Sequence, residues 1–180
     1  DRRIAVVATT RCLRLSPIVY NAAGRSDNHA MIPGRLHPMA TPIIAGNWKM
    51  NTTINEAKEL VAGMKLGLEA IEGVQKVLCP PFTALAAVGE LLRGSSIALG
   101  AQNMYFESSG AYTGEVSPTM LVDLCQFVIT GHSERRHKLG ESDVVVGKKV
   151  AAARDVGLRP ILCVGESLKE RDDGDAEGVV

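Results

Sequence analysis

From Pro42 onward the chain alternates short, nearly continuous apolar runs with longer segments in which apolar residues recur every three or four positions. The runs are Ile43-Ile44-Ala45-Gly46, Val74 to Cys79, Ser96 to Gly100, Phe127-Val128-Ile129-Thr130 and Arg159 to Val164. Each is short and bounded by Gly, Pro or polar residues, as a buried strand would be. Between the first two, Thr53-x-x-Glu56 has the form of a capping box, and Ile54, Ala57, Leu60, Val61, Met64 and Leu68 keep helical spacing up to a stop at Gly73. A second helix is expected from about Thr83 to Arg93, a short one near Thr119 to Cys125, and a longer one capped by Ser142 and ending at Val156 before Gly157. Ser167-x-x-Glu170 caps another.

Five strands, each followed by a helix or helical turn, predict a parallel sheet covered by helices. Two architectures satisfy that pattern: an open doubly wound sheet, or part of a (β/α)₈ barrel. Residues 101–117 break the alternation, being polar and Gly-rich with Tyr105, Phe106 and Tyr112 and no helical or strand period. A long loop of this kind inside a compact domain is usually functional or a contact surface. Residues 1–40 show no period that would bury a face and are expected to form an N-terminal extension outside the 41–180 domain. Met39 directly precedes the first strand and is the expected natural start, with an organelle transit peptide as the alternative.

Composition narrows the function class. Hydrophobic residues make up 46% of the 180, and no apolar run approaches the length of a membrane span. The formal net charge of zero hides an uneven distribution: the first 40 residues hold six Arg against two Asp, so the remainder is net acidic. That argues against nucleic acid as the partner. An anionic ligand would be held by a few placed cations and helix N-termini. Cys12, Cys79, Cys125 and Cys163 lie far apart without metal-ligand spacing. They read as buried structural thiols in a reducing compartment, and no metal site is expected.

Candidate chemistry collects where strands end. Asn47 and Lys49 follow the first strand, and alternation along an extended chain would put both on one side with Trp48 on the other. An amide and an ammonium there suit a small anionic or carbonyl substrate, or equally a solvated loop. His132 follows the fourth strand in Gly131-His132-Ser133-Glu134-Arg135-Arg136, where Ser133 is expected to cap the helix. Helix N–H groups nearby would disfavour protonation of the imidazole, leaving it able to donate to a developing enolate oxygen; a hydrogen-bonded structural histidine fits the position as well. Glu134 is expected to bond Lys49 or backbone donors, Arg135 and Arg136 to form salt bridges or face solvent, and His137 to be exposed. Glu166, past the fifth strand, suits either a catalytic or a capping carboxylate. No Walker or dinucleotide loop is present.

Taken together, Ala45-Gly46-Asn47-Trp48-Lys49-Met50-Asn51, Ala101-Gln102-Asn103, Gly110 to Ser117, Gly131 to Arg136 and Cys163-Val164-Gly165-Glu166 resemble the triosephosphate isomerase family, in order from about Thr41 to the end of the sequence. The resemblance implies a (β/α)₈ barrel of which about the first five β/α units are present. It implies a homodimer, interconversion of dihydroxyacetone phosphate and D-glyceraldehyde 3-phosphate through an enediolate, and no cofactor or metal. By motif, Asn47 and Lys49 bind substrate, Lys49 and His132 are catalytic, and Ser133 and Glu134 support them. The family is an established example of a histidine kept neutral by a helix N-terminus. Thr113, Gly114 and Glu115 match its interface loop, which inserts into the other subunit. A cytoplasmic location is expected, or a plastid one if residues 1–38 are a transit peptide. Two departures stand out. The link Asp123 to Phe127 is one residue shorter than the family's and lacks its helix-capping Gly, for which a local adjustment is expected. The sequence also ends before the family's catalytic carboxylate and closing lid, so the chain alone is expected to be inactive and prone to associate through open barrel edges. The alternative is a non-catalytic doubly wound module that binds a phosphorylated small molecule or a partner. Another isomerase or lyase on the same barrel is a weaker one.

Overall fold

The structure is a computed structural model that describes residues 41–175 and 178. The readings made for residues 1–40, including Cys12, His29, His37 and the start at Met39, lie outside the described residues. Five strands form one parallel sheet: β1 (Ile43–Asn47), β2 (Gln75–Cys79), β3 (Ile97–Ala101), β4 (Phe127–Thr130) and β5 (Arg159–Leu162). Helices α1 (Ile54–Glu69), α2 (Phe82–Leu92), α3 (Pro118–Val122), α4 (Ser133–Leu139), α5 (Asp143–Asp155) and α6 (Leu168–Asp172) occupy the connections.

Spatial order follows chain order, β1-β2-β3-β4-β5, without a reversal. A doubly wound sheet needs a point where strand order reverses, and it is there that such folds bind ligands. The sequential order excludes that alternative and makes the sheet an arc of a (β/α)₈ barrel. Two cores flank it. Between sheet and helices, Val61, Leu85, Val88, Leu99, Leu121 and Val128 pack together. On the opposite, concave face Val77, Cys79, Phe127, Ile129, Ile161 and Cys163 form a second cluster. Gly100 lies in this second layer because nothing larger fits: a Cβ there would stand 2.7 Å from Cys79 Sγ.

The local signals act as expected at three helix starts. Thr53 and Ser167 form capping boxes with Glu56 and Glu170, and Ser142 caps α5 through the Val145 N–H. α3 starts earlier than expected, at Pro118, because Ser117 accepts the Met120 N–H and proline is suited to the first helical position. At the shortened link, α3 ends on right-handed Asp123, and the N–H groups of Leu124 and Cys125 both donate to Leu121 O at 2.9 Å. Gln126 completes the adjustment. Its N–H donates to Leu99 O at 3.0 Å while its side-chain Oε1 accepts the Leu99 N–H at 3.1 Å, extending the β3–β4 ladder with a side chain in place of backbone.

Candidate active site

The C-terminal ends of β1, β3, β4 and β5 share one rim, where enzymes of this architecture place their chemistry. Asn47 is the last residue of β1, and its Oδ1 accepts the Lys49 N–H at 3.0 Å. Lys49 has φ +56°, so it is not extended and the alternation expected of Asn47, Trp48 and Lys49 fails at its third residue. Such a conformation costs a non-Gly residue roughly 1–2 kcal/mol and persists only when its surroundings impose it. Here they do so from both sides. Asn47 holds the N–H, and Gln102 Nε2 donates to Lys49 O at 3.0 Å and to Cys79 O at 2.8 Å. The held backbone directs Lys49 Nζ to Glu134 Oε1, 2.8 Å away on α4. That hydrogen bond, with the Lys49 charge, keeps the Glu134 carboxyl below the usual carboxylate range.

His132 is 5% exposed and is itself the N-cap of α4. Ser133, expected in that role, is the first helical residue and is exposed. The imidazole Nδ1 accepts the Glu134 N–H at 3.3 Å. An acceptor nitrogen carries no proton, so in the neutral ring the proton is on Nε2. That Nε2 is buried and, among the described residues, has no hydrogen-bond partner. Burial lowers the His132 pKa below its ordinary value; the Lys49 charge acts in the same direction and Glu134 against it. Desolvation leads this shift in place of the helix N–H groups expected from the sequence, and the helix N–H instead fixes the tautomer.

Other rim groups are already engaged. Glu166 accepts from Arg171 Nε at 2.7 Å, and a hydrogen bond from its own backbone, followed by that pairing, holds its pKa low. Arg135 bonds Glu141 at 2.9 Å, and Arg136 donates to Gly131 O at 2.7 Å. His137 is exposed, as expected. Thr113, Gly114 and Glu115 occupy an exposed loop tip and, among the described residues, make no hydrogen bond to Asn47, Lys49 or His132. The stem of their loop is ordered: Tyr105 stacks on Phe106 at 4.3 Å and meets Tyr112 at 4.6 Å, and the Tyr105 N–H donates to Val116 O at 2.8 Å.

Sequence reasoning gave no role to Gln102, nor to a buried polar chain behind the rim. In that chain Lys149, 2% exposed on α5, donates to Asn103 Oδ1 at 2.8 Å and pairs with Glu141, which also holds Arg135. Burial opposes ionisation of Glu141, but its two cations outweigh that, and its pKa lies below the usual range. The available signal was position: Gln102 and Asn103 directly follow a buried strand, where a solvated loop would not need two amides. Lys149 gave none, because lysine on a helix is ordinarily exposed. Among the described residues no group of three or more His, Cys, Asp or Glu could hold a metal ion.

The triosephosphate isomerase family profile matches residues 42–180. The triosephosphate isomerase of Dehalococcoides mccartyi (strain 195) is 59% identical over 131 residues, covering 73% of this chain and 52% of the relative. That of Chloroflexus aurantiacus is 56% identical over 143 residues, covering 79% and 57%. The crystal structure of triosephosphate isomerase from Bartonella henselae superposes with a TM-score of 0.72 at 41% identity, over 77% of this chain and 58% of that one. The chain thus spans about half the length of these relatives. With the sequential parallel arc and the ordered rim motifs, a profile match over most of the chain makes the assignment: this protein belongs to the triosephosphate isomerase family.

Proposed function

We propose that the chain carries the substrate-binding and electrophilic part of a triosephosphate isomerase site, interconverting dihydroxyacetone phosphate and D-glyceraldehyde 3-phosphate. The observation that carries the reading is His132: a ring whose Nδ1 is occupied by a backbone N–H, and whose Nε2 is buried without a partner among the described residues. A donor held in place before the reaction and shielded from water stabilises charge that develops in the transition state. In this reading Nε2–H donates to the substrate carbonyl as the α-proton leaves. The enediolate oxygens then exchange a proton through the ring, which ends neutral. Asn47 binds substrate, and Lys49 supplies positive charge beside the phosphate and the developing oxyanion.

The α-proton must go to a base. Glu134 and Glu166, the rim carboxylates described here, are engaged by Lys49 and Arg171. In this reading neither of them serves as the base, and the chain by itself is expected to turn over no substrate. The exposed loop tip Thr113-Gly114-Glu115, raised on an ordered aromatic stem, suits insertion into a second copy, which supports a homodimer. A reducing, cytoplasmic location agrees with the buried free thiols of Cys79, Cys125 and Cys163.

The test is a chimera in which residues 42–180 replace the matching part of the Dehalococcoides mccartyi enzyme, with isomerisation followed in a coupled assay. Turnover that His132→Ala lowers by roughly a hundredfold to a thousandfold is the expected result. A folded chimera without turnover, or one indifferent to His132→Ala, would overturn the reading.

A further inference from the structure

His132 follows directly on a left-handed turn at Gly131. Gly131 has φ +68°, and a Cβ there would stand 2.8 Å from both Arg136 Nη2 and Val146 Cγ1. The Arg136 guanidinium fills the space that a side chain at position 131 would need. It uses that place to hold backbone. Its Nε donates to Gly131 O at 2.7 Å, its Nη2 reaches Cys163 O at 3.4 Å, and its Nη1 pairs with Asp143 at the start of α5. One planar fork thus spans the ends of β4 and β5 and the first turn of α5. A guanidinium is suited to this because its donors are fixed relative to one another.

We propose that Arg136 is a positioning residue for His132, holding through the Gly131 carbonyl the backbone turn that keeps the ring Nδ1 on the Glu134 N–H. Gly131 O belongs to the peptide unit joined directly to the His132 nitrogen. Rotation of that unit would move the ring away from the Glu134 N–H that occupies its Nδ1. Arg136 reaches this turn from one helical turn downstream, so α4 braces the residue that caps it. The inference rests on the reading of His132 as a neutral Nε2–H donor.

The test is ring ¹⁵N NMR of the full chain at pH 8, with the His132 signals assigned by their loss in His132→Gln. The readout is the ratio of the two neutral tautomers. The unsubstituted chain shows the Nε2–H form; mixed tautomers there would overturn the reading of His132 itself. In Arg136→Met the Nδ1–H form rises at least about fivefold, the equivalent of one net hydrogen bond. In Arg136→Lys, which keeps the charge but not the fork, it rises by less. Asp143→Asn, which leaves both carbonyl contacts in place, stays like the unsubstituted chain. A folded Arg136 variant with an unchanged ratio overturns the inference, as does an equal shift in Asp143→Asn, which would mark general loosening. If Arg136→Met does not fold, Arg136→Lys decides alone.

Discussion

At the scale of single residues, His132 and Lys49 are each held in a state that the free amino acid would not favour. His132 is kept from its proton by burial, and this has a consequence for stability. The folded ring binds a proton less readily than the unfolded one, whose pKa is about 6.5. Its contribution is therefore fully present above about pH 6.5 and is lost as pH falls from there through the lower folded value. Urea unfolding of the chain and of His132→Gln between pH 8 and 5 is expected to show a stability difference that shrinks with acidification. A difference independent of pH would contradict it. Lys49 is kept left-handed by Asn47 and Gln102. Lys49→Gly is accordingly expected to be more stable than Lys49→Ala by about 1 kcal/mol, since both lose the ammonium and only glycine relieves the strain. Equal stabilities would show that φ +56° costs nothing here.

At the scale of elements, the strands and the longer helices were legible because their apolar period and caps are local properties of the chain. Thr53-x-x-Glu56 and Ser167-x-x-Glu170 start helices where the sequence says they should. What escaped were effects that need a partner from elsewhere in the chain. The left-handed turn at Lys49 depends on Gln102, 53 positions away, and no propensity of lysine predicts it. Ser133 lost the capping role to the ring of His132, a side chain that rarely competes for it. The Lys149, Glu141 and Asn103 contacts join residues that are polar and scattered in sequence, so no period reveals them. This buried pair gives a sharp expectation. Lys149→Ala leaves Glu141 buried with one cation fewer and should cost about 3–5 kcal/mol, read as a lowered urea midpoint at constant slope. A loss under 1 kcal/mol would mean that water reaches the carboxylate. In the sheet, Gly100→Ala forces a methyl against Cys79 Sγ and should cost about 1–3 kcal/mol by overpacking. Cys79→Ala in the same background should recover part of the loss.

At the scale of the whole molecule, the sequential strand order separates the barrel arc from the doubly wound alternative, which sequence pattern left open because both use the same β/α alternation. The motif order pointed to the barrel, but only through resemblance. Among the described residues the arc has two outer strands, β1 and β5, and Ile44 on β1 is 63% exposed. Unpaired parallel edges with apolar neighbours invite association. Sedimentation of the chain is expected to show mass increasing with concentration, and a mass that stays monomeric at every concentration would contradict this.

The proposed chemistry turns on one atom, the proton of His132. Its most direct test is the ring ¹⁵N spectrum of His132 in the unsubstituted chain, followed from pH 8 down to 5. A single neutral Nε2–H form that persists below about pH 6.5 is the predicted result. A ring that becomes an imidazolium at its ordinary pKa, or carries its neutral proton on Nδ1, would contradict the electrophilic role proposed for it.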